Sequence, residues 1–197
     1  VYASLGARKV LSGPAYQVIR MDLERPDDRD PAGLPRRMLV TIGGGDPRAM
    51  LPVLAKWLGG PRFKDMRVDL VVGPYAQAPH VPDGVTLHKD PANMAELIAQ
   101  ADMAVSAAGQ TLMELLYCGV PTAVLCLAEN QAPNLNALER EGVVLAAGNA
   151  DDSNWLETLD AAVNKLLTDP ALRTTLSTKA GQLVDGKGAQ RIAEAIV

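Results

Sequence analysis

The stretch Asp102–Pro121, with the sequence DMAVSAAGQTLMELLYCGVP, decides the fold of this chain. It begins with a short apolar run, Asp102–Ser106, of the kind that forms a buried strand. Three small residues follow, and Gln110–Cys118 then carries leucines at a helical spacing. Gly119 lies where a glycine commonly ends a helix, and Pro121 opens another apolar run. The stretch therefore predicts a strand, a tight turn, a helix and a second strand.

The residues at the start of this helix indicate an anion-binding site. The first N–H groups of a helix have no partner within it and carry the positive end of the helix dipole. Ala107, Ala108 and Gly109 lack the bulk that keeps a ligand away, so a phosphate can approach this backbone. Glu114 is the only acidic residue of the helix, and beside a phosphate it fits as an acceptor for neutral hydroxyls such as those of ribose. The alternative is that the small residues serve close helix–sheet packing and that Glu114 is a solvated surface charge.

Composition places the chain among ordinary globular domains. Its 197 residues are 48% hydrophobic and 21% charged, which suffices for one domain with a sizeable core. A net charge of −4, no basic block and only 4% aromatic residues argue against a nucleic-acid partner. No apolar run is long enough for an integral membrane segment, no signal peptide is visible, and no CxxC pair suggests a metal. We therefore expect a cytoplasmic protein with Cys118 and Cys126 reduced. Because residue 1 is a valine, we expect a processed chain or a piece of a longer one.

Strands and helices alternate along the chain. Residues 1–35 are rich in proline and charge and are predicted to be a linker or interdomain segment ahead of one domain at 36–197. The predicted strands are Met38–Ile42, Arg67–Gly73, Val85–His88, Asp102–Ser106, Thr122–Leu127 and Val143–Ala146. The predicted helices between strands are Met50–Leu58, with Pro47 in its first turn, a helix capped by Asn93 and running to Gln100, Gln110–Cys118 and Asn134–Glu141. Further helices follow Asp151. This alternation predicts an α/β fold with a doubly wound, Rossmann-like parallel sheet.

Four polar or glycine-rich turns follow the predicted strands. They are Gly43–Gly45, His88–Asp90, Ala107–Gly109 and Glu129–Gln131. In a parallel sheet, ligands bind outside the carboxyl ends of the strands, where such turns meet. The first turn is not a P-loop because no Gly-Lys-Ser/Thr follows it, and its glycines either admit a ligand or merely accommodate the turn. His80 lies in a separate proline-rich loop and is expected to be solvated.

Five segments carry a resemblance to a known family. They are GPAYQVIR at Gly13–Arg20, IGGGDP at Ile42–Pro47, ADMAVSAAGQTLMELLYCGVPTAVL at Ala101–Leu125, ENQ at Glu129–Gln131 and DGKGAQRI at Asp185–Ile192. Together they resemble the C-terminal nucleotide-binding half of GT-B glycosyltransferase-like proteins. More narrowly, they are similar to the UDP-sugar hydrolase of pseudaminic acid biosynthesis and the related spore-coat polysaccharide proteins. The central segment is shared with the UDP-GlcNAc transferase of peptidoglycan synthesis, whereas the first, second and last favour the hydrolase-like branch.

The resemblance implies a site for a UDP-sugar. The residues implied to bind its diphosphate are Ser106, Ala107, Ala108, Gly109, Gln110 and Thr111. Glu114 would hold the ribose hydroxyls, and the backbone around His88 and Lys89 would read the uracil edge. The residues implied to face the sugar, the phosphate or the cleft are Gly43, Gly44, Asp46, Asn130 and Gln131. Relatives often carry glycine and serine where this chain has Ala108 and Gln110.

The resemblance further implies one half of a two-domain enzyme. The hydrolase family places its catalytic histidine in a glycine-rich loop of an N-terminal domain, and neither histidine of this chain matches that context. We therefore assign this chain no catalytic residue, no metal and no cofactor beyond the UDP-sugar itself, and we expect it to be inactive without the missing N-terminal domain. The implied reaction is hydrolysis of the anomeric bond of a UDP-linked amino sugar in surface polysaccharide biosynthesis. The alternatives are the donor-binding domain of a glycosyltransferase and a non-catalytic nucleotide-sugar-binding module.

Overall fold

The computed structural model describes residues 10–46 and 48–196. The strands are β1 (Arg37–Thr41), β2 (Arg67–Val72), β3 (Val85–Lys89), β4 (Met103–Ala107), β5 (Thr122–Cys126) and β6 (Leu145–Asn149). The helices are α1 (Met50–Leu58), α2 (Met94–Gln100), α3 (Gln110–Tyr117), α4 (Ala132–Glu141), α5 (Trp155–Thr168), α6 (Pro170–Leu183) and α7 (Gly188–Ile196). Short 3₁₀ helices lie at Pro14–Tyr16, Pro61–Phe63 and Glu129–Gln131.

The six strands form one parallel sheet in the order β3-β2-β1-β4-β5-β6. The chain runs from β1 outward to β3 and then returns to the centre of the sheet. It continues from β4 outward to β6 on the other side of β1. This is the Rossmann strand order, and it confirms the predicted doubly wound sheet. The order reverses between β1 and β4, so the crevice in which such folds bind ligands opens beside these two strands.

Helices cover both faces of the sheet. Met38 and Val40 of β1 pack beneath α1 and α5, whereas Leu39 lies on the opposite face beneath α2. Because the central strands are covered on both sides, β4 and β5 are buried along their whole length and are apolar except at Ser106 and Thr122. Among the helices of the described residues, none is long and apolar enough to cross a membrane.

The element boundaries differ from the sequence predictions at a few places. The last strand is Leu145–Asn149 and not Val143–Ala146, because Gly142 ends α4 with a left-handed backbone and the Val143 N–H still bonds to the Leu138 carbonyl. α4 begins two residues earlier than predicted. The predicted cap at Asn93 does not form, since its side chain donates to Glu96. Pro47, predicted in the first turn of α1, lies outside the described residues.

The segment ahead of β1 contacts the domain through arginine side chains. Arg25 donates to three carbonyls at the ends of α3 and α6, and Arg29 donates to three carbonyls at the ends of α2 and α3. Arg173 of α6 is buried and donates in return to the carbonyls of residues 31–33. One guanidinium can satisfy several carbonyls because its donors fan outward. Assignment of 1–35 to an interdomain segment stays a prediction, but the described part of it lies against this domain.

Two turns at the carboxyl edge are locked together at Gly73. An added Cβ at Gly73 would lie 2.5 Å from the Gly43 carbonyl oxygen, and the Tyr75 N–H donates to the Gly44 carbonyl at 3.0 Å. Because backbone cannot swing aside, we expect Gly73→Ala to lower the free energy of unfolding by about 1–3 kcal/mol. Urea denaturation measures this. Gly45→Ala is the matched control, since an added Cβ there meets no described atom within 4 Å, and equal stability of the two variants would contradict the packing.

Candidate functional site

The turns predicted to hold a ligand all lie at one edge of the sheet. They follow β1, β3, β4 and β5, and the carboxyl ends of parallel strands meet at the same edge. The turns after β1, β4 and β5 follow neighbouring strands, whereas the turn after β3 lies two strands beyond β1. The structure therefore brings the predicted turns to the edge at which this fold binds ligands.

The start of α3 is open to solvent. Gly109 precedes the helix with an extended backbone, φ −109° and ψ −160°, and is exposed. An added Cβ at Gly109 would meet no atom of the described residues within 4 Å. In the part of the chain that the structure describes, no side chain caps the first N–H groups of α3. These N–H groups are therefore available to an anion.

The polar side chains of this turn are used within the protein. Ser106 is buried, and its hydroxyl donates to the Ala107 carbonyl at 3.0 Å. The Gln110 amide accepts from Gln17 Nε2 at 2.6 Å and donates to the Val18 carbonyl at 2.9 Å. The backbone N–H groups, and not these two side chains, are what the turn offers to a ligand.

The first and last sequence motifs meet beside this turn. Segment 13–20 is bonded to Gln110 on one side, and on the other side Arg191 of α7 donates to the Ala15 carbonyl at 2.8 Å. Gly188 lies against the Gln17 backbone so closely that a Cβ would not fit. Arg191 also pairs with Asp185, which holds the pKa of that carboxyl well below its usual range. Sequence spacing alone did not predict this contact.

Glu114 lies within α3 and is only 8% exposed. The interpretation that it is a solvated surface charge is therefore wrong. Burial raises the pKa of Glu114, the charge of Arg20 lowers it, and Asp22 raises it again, but no described group donates a hydrogen bond to the carboxylate. Every fully buried polar side-chain atom among the described residues has a partner, so the unpartnered Glu114 oxygens still reach solvent. A largely desolvated carboxylate without a donor is unfavourable by itself, and it suits a ligand that brings hydroxyls.

Lys89 presents free backbone groups at the end of the edge strand β3. The Asp90 N–H donates to the Val72 carbonyl of β2 at 2.8 Å. Backbone groups of successive strand residues point to opposite sides within the sheet, so the N–H and C=O of Lys89 point away from β2, toward the side on which no strand of the described residues pairs with β3. Asp90 itself has a left-handed backbone, φ 44°. The structure thus leaves one donor and one acceptor side by side at this position.

The His88 side chain binds a buried carboxylate that the sequence analysis did not single out. Its Nε2 lies 2.8 Å from Asp69 Oδ1, and Arg37 Nε donates to Asp69 Oδ2 at 2.6 Å. Burial opposes ionisation of Asp69, but the hydrogen bonds from Arg37 and His88 outweigh it and lower the pKa of this carboxyl. The signal in the sequence was an aspartate inside the otherwise apolar strand RVDLVV.

The turn after β1 differs from its predicted role in one respect. Gly43 and Gly44 are exposed at the edge, and Gly43 has a φ of 96°, which favours glycine. The carboxylate of Asp46, however, accepts from the N–H groups of Met50 at 2.7 Å and Leu51 at 2.9 Å. Asp46 therefore caps α1 with both of its oxygens and offers the cleft no free carboxylate.

Arg48 connects three turns of the edge and was missed in the sequence. It forms two hydrogen bonds of 2.9 Å each with Asp151 and also contacts the Leu127 carbonyl.

In the turn after β5, Asn130 is exposed, and Gln131 Oε1 accepts from the Leu127 N–H at 2.9 Å. The amide nitrogen of Gln131 has no hydrogen-bond partner among the described residues and can donate to a ligand.

Comparison with known proteins identifies relatives of this domain. Residues 85–196 match the family model described as glycosyltransferase family 28 C-terminal domain. The spore coat polysaccharide biosynthesis protein SpsG of Bacillus subtilis (strain 168) is 32% identical over 190 residues, which cover 91% of this chain and 53% of SpsG. A UDP-N-acetylglucosamine--N-acetylmuramyl-(pentapeptide) pyrophosphoryl-undecaprenol N-acetylglucosamine transferase of Gloeobacter violaceus is 34% identical over 108 residues, 52% of this chain and 30% of the transferase. The chain thus spans about half of SpsG and a smaller part of the transferase.

Solved glycosyltransferases share the fold. The glycotransferase of kitacinnamycin matches with a TM-score of 0.65 and 26% identity over 94% of this chain and 46% of its own. CalG4, the calicheamicin glycosyltransferase, matches with a TM-score of 0.63 and 18% identity over 95% of this chain and 44% of its own. These matches confirm the predicted Rossmann-like C-terminal half of a GT-B architecture.

Proposed function

Because this chain belongs to the glycosyltransferase family 28 C-terminal domains, we propose that it binds the donor of a two-domain GT-B enzyme and that this donor is a UDP-sugar. The observation that carries the proposal is the start of α3. Its uncapped N–H groups face open space at Gly109, and the nearly buried carboxylate of Glu114 follows within the same helix. A nucleoside diphosphate needs this combination, an anion site for the phosphates and an acceptor for the ribose hydroxyls.

The base would pair with the backbone of Lys89. The base edge of thymine or uracil offers a carbonyl acceptor, whereas cytosine carries an amino donor at the same position. Binding of the ribose at Glu114 would fix the position of the base. In that position, only one of the two bases can place an acceptor opposite the Lys89 N–H and a donor opposite the Lys89 C=O. The Gloeobacter relative, whose name specifies a UDP-linked donor, supports uridine.

The sugar and the distal phosphate would lie over the turns after β1 and β5. Gly43 and Gly44 would line this part of the cleft, and Asn130 and the free amide nitrogen of Gln131 would donate to ligand oxygens. Ser106, Asp46 and the Gln110 side chain would shape the site without touching the ligand, because their polar groups are bonded within the protein. Ala108 and Thr111 flank the helix start at which the diphosphate would bind.

We propose sugar transfer as the reaction of the whole protein, with a missing N-terminal domain as partner. The glycosyltransferase relatives favour transfer, and none of them favours hydrolysis specifically. Hydrolysis is the second candidate, because the motifs Gly13–Arg20 and Asp185–Ile192, which favour the hydrolase-like branch, contact each other at the start of α3. The similarity to SpsG supports a role in polysaccharide biosynthesis.

Substitution of Glu114 tests the proposed nucleotide site. Hydrogen bonds to a charged group contribute about 1.5–3 kcal/mol each, so Glu114→Ala should weaken UDP binding about tenfold or more. Titration calorimetry with wild type and variant measures this difference. Equal affinities would remove the ribose role of Glu114 and with it the main support for a nucleotide.

Glu114→Gln is the matched variant, since it keeps the size of the side chain and removes the charge. Burial raises the pKa of Glu114 above its ordinary value of 4.5, so ionisation at neutral pH disfavours the folded state. Without ligand, Glu114→Gln should therefore melt at a higher temperature than wild type at pH 7, and the difference should vanish as the pH falls below 4.5. The same variant should bind UDP more weakly at pH 7. A lower melting temperature at pH 7 would show that the protein itself satisfies this carboxylate.

A further inference from the structure

We propose that Asp69 and the His88 side chain are positioning residues that set the base selectivity of the nucleotide site. The proposal rests on the proposed binding of UDP and names the part of the structure that discriminates uracil from cytosine. Neither side chain needs to touch the base. They act through the backbone of Lys89, which follows His88 directly.

Asp69 joins the three strands on one side of the sheet. It lies in β2, is 1% exposed, and sits on the face that α2 covers. Arg37 at the start of β1 reaches it from one side at 2.6 Å, and His88 near the end of β3 reaches it from the other at 2.8 Å. Arg37 also contacts Gln100 at the end of α2. One carboxylate thereby fixes the edge strand β3 relative to the centre of the sheet.

A buried ion pair is a costly way to fill this position. Apolar side chains of similar volume commonly stabilise a core as well as a buried salt bridge or better, so stability alone does not explain a charged group at this position. The neighbouring positions on this face, Leu39 and Val71, are apolar. The charged group lies beside a strand, β3, that pairs on one side only within the described part of the chain, and it holds the end of that strand in place.

Hydrogen bonds hold both neighbours of Lys89, His88 and Asp90, and we call these two contacts the clamp. Before it, the His88 ring is held by Asp69, and after it, the Asp90 N–H is bonded to the Val72 carbonyl at 2.8 Å. Asp90 adopts a left-handed backbone with a φ of 44°, which aspartate tolerates better than most residues other than glycine, and the hydrogen bond of its N–H to Val72 fixes its position. Hydrogen bonds weaken steeply with misalignment, so this clamp determines how well Lys89 can distinguish one base edge from another.

Loss of the hydrogen bond between His88 and Asp69 should lower base selectivity without affecting phosphate binding at the start of α3. The start of α3 follows β4, three strands away from β3 in the sheet, and neither Asp69 nor His88 contacts it. Affinity for inorganic pyrophosphate, which has no base, should therefore stay as in wild type. A merely structural role would instead weaken UDP, CDP and pyrophosphate alike.

The test compares the ratio of the CDP and UDP dissociation constants in three variants of the full 197-residue chain. His88→Ala should lower this ratio about fivefold or more, the effect of losing one or two well-aligned hydrogen bonds. The amide of His88→Gln can still donate to Asp69, so the ratio in this variant should lie between those of His88→Ala and wild type. His80→Ala is the matched control, because His80 is the other histidine of the chain, is exposed in the loop after β2, and should leave the ratio unchanged.

Each outcome decides the proposal. Asp69→Asn provides a second route to the same prediction, and its melting temperature shows whether it folds. A wild-type chain that binds UDP selectively, together with a His88→Ala variant of equal selectivity, overturns the positioning role and leaves the nucleotide site standing. A parallel loss of pyrophosphate affinity in His88→Ala assigns the residue to stability and also overturns it. A wild-type chain that does not bind UDP overturns both proposals.

Discussion

Gly109→Val is expected to abolish UDP binding and leave the fold intact. Gly109 has a φ of −109°, which valine adopts readily, and an added Cβ would meet none of the atoms that the structure describes within 4 Å. The new side chain would therefore occupy only the open space in front of α3. A phosphate bound there accepts charge-assisted hydrogen bonds worth about 1.5–3 kcal/mol each, so losing two of them weakens binding on the order of a hundredfold or more. Calorimetry measures the affinity, and an unchanged melting temperature confirms the fold.

Two companion variants show which part of the turn holds the phosphate. Gln110→Ala keeps the backbone N–H and removes only side-chain bonds to Gln17 and Val18, so UDP affinity should change little. Gly45→Val places the same side chain in the turn after β1, where there is also open space. If Gln110→Ala lost more affinity than Gly109→Val, the side chain would be the phosphate ligand. If only Gly45→Val abolished binding, the diphosphate would belong over the turn after β1.

Gly109 illustrates what a sequence leaves open. A glycine in a tight turn is compatible with a positive φ, which would forbid larger residues, but the backbone there is extended. What makes Gly109 special in the structure is the open space in front of it. A sequence pattern predicts that a position is small, and only coordinates tell whether the reason is its backbone, its packing or a ligand.

The fold followed from the sequence because local patterns and tertiary burial agree along this chain. Strands such as β4 and β5 are buried throughout and mostly apolar, as expected for strands covered on both faces, and the helix between them carries apolar residues at a helical spacing. The error at β6 has a physical cause. Val143 and Val144 are 2% exposed but precede the strand, because apolar character indicates burial and does not specify which residues pair with β5.

The site was predicted less completely, because side-chain partners far apart in sequence cannot be derived from spacing. Asp46 was grouped with residues that face the cleft, but it caps α1, and the Gln110 side chain binds a segment 93 residues away. His88 was assigned for its backbone alone, and its Asp69 partner was passed over. The sequence left two roles open for Glu114, ribose acceptor and solvated surface charge. Its burial in the structure excludes the solvated surface charge.

This chain alone is expected to release no UDP from a UDP-sugar. Breaking an anomeric bond needs an acid or base within hydrogen-bond reach of the sugar. At the carboxyl edge, Asp46 is occupied by two helix N–H groups, and His88 is occupied by Asp69. Glu114 is assigned to the ribose. Asp90 and Glu129 are exposed, and no described group hydrogen-bonds either side chain into position.

A cleft built from one domain also lacks the means to position a reaction. Holding the reacting groups in place can account for about 7–11 kcal/mol of a barrier, and the chain spans only about half of its relative SpsG. The test incubates the purified chain with UDP-amino sugars and follows UDP release, with and without the proposed N-terminal domain added in trans. Release that needs the added half and an acceptor indicates transfer, and release that needs the added half but only water indicates hydrolysis. Binding without release under every condition would support a non-catalytic module. Release by this chain alone, lost in Glu129→Gln, would place the catalytic group at the turn after β5 and contradict the division of labour proposed for the two halves.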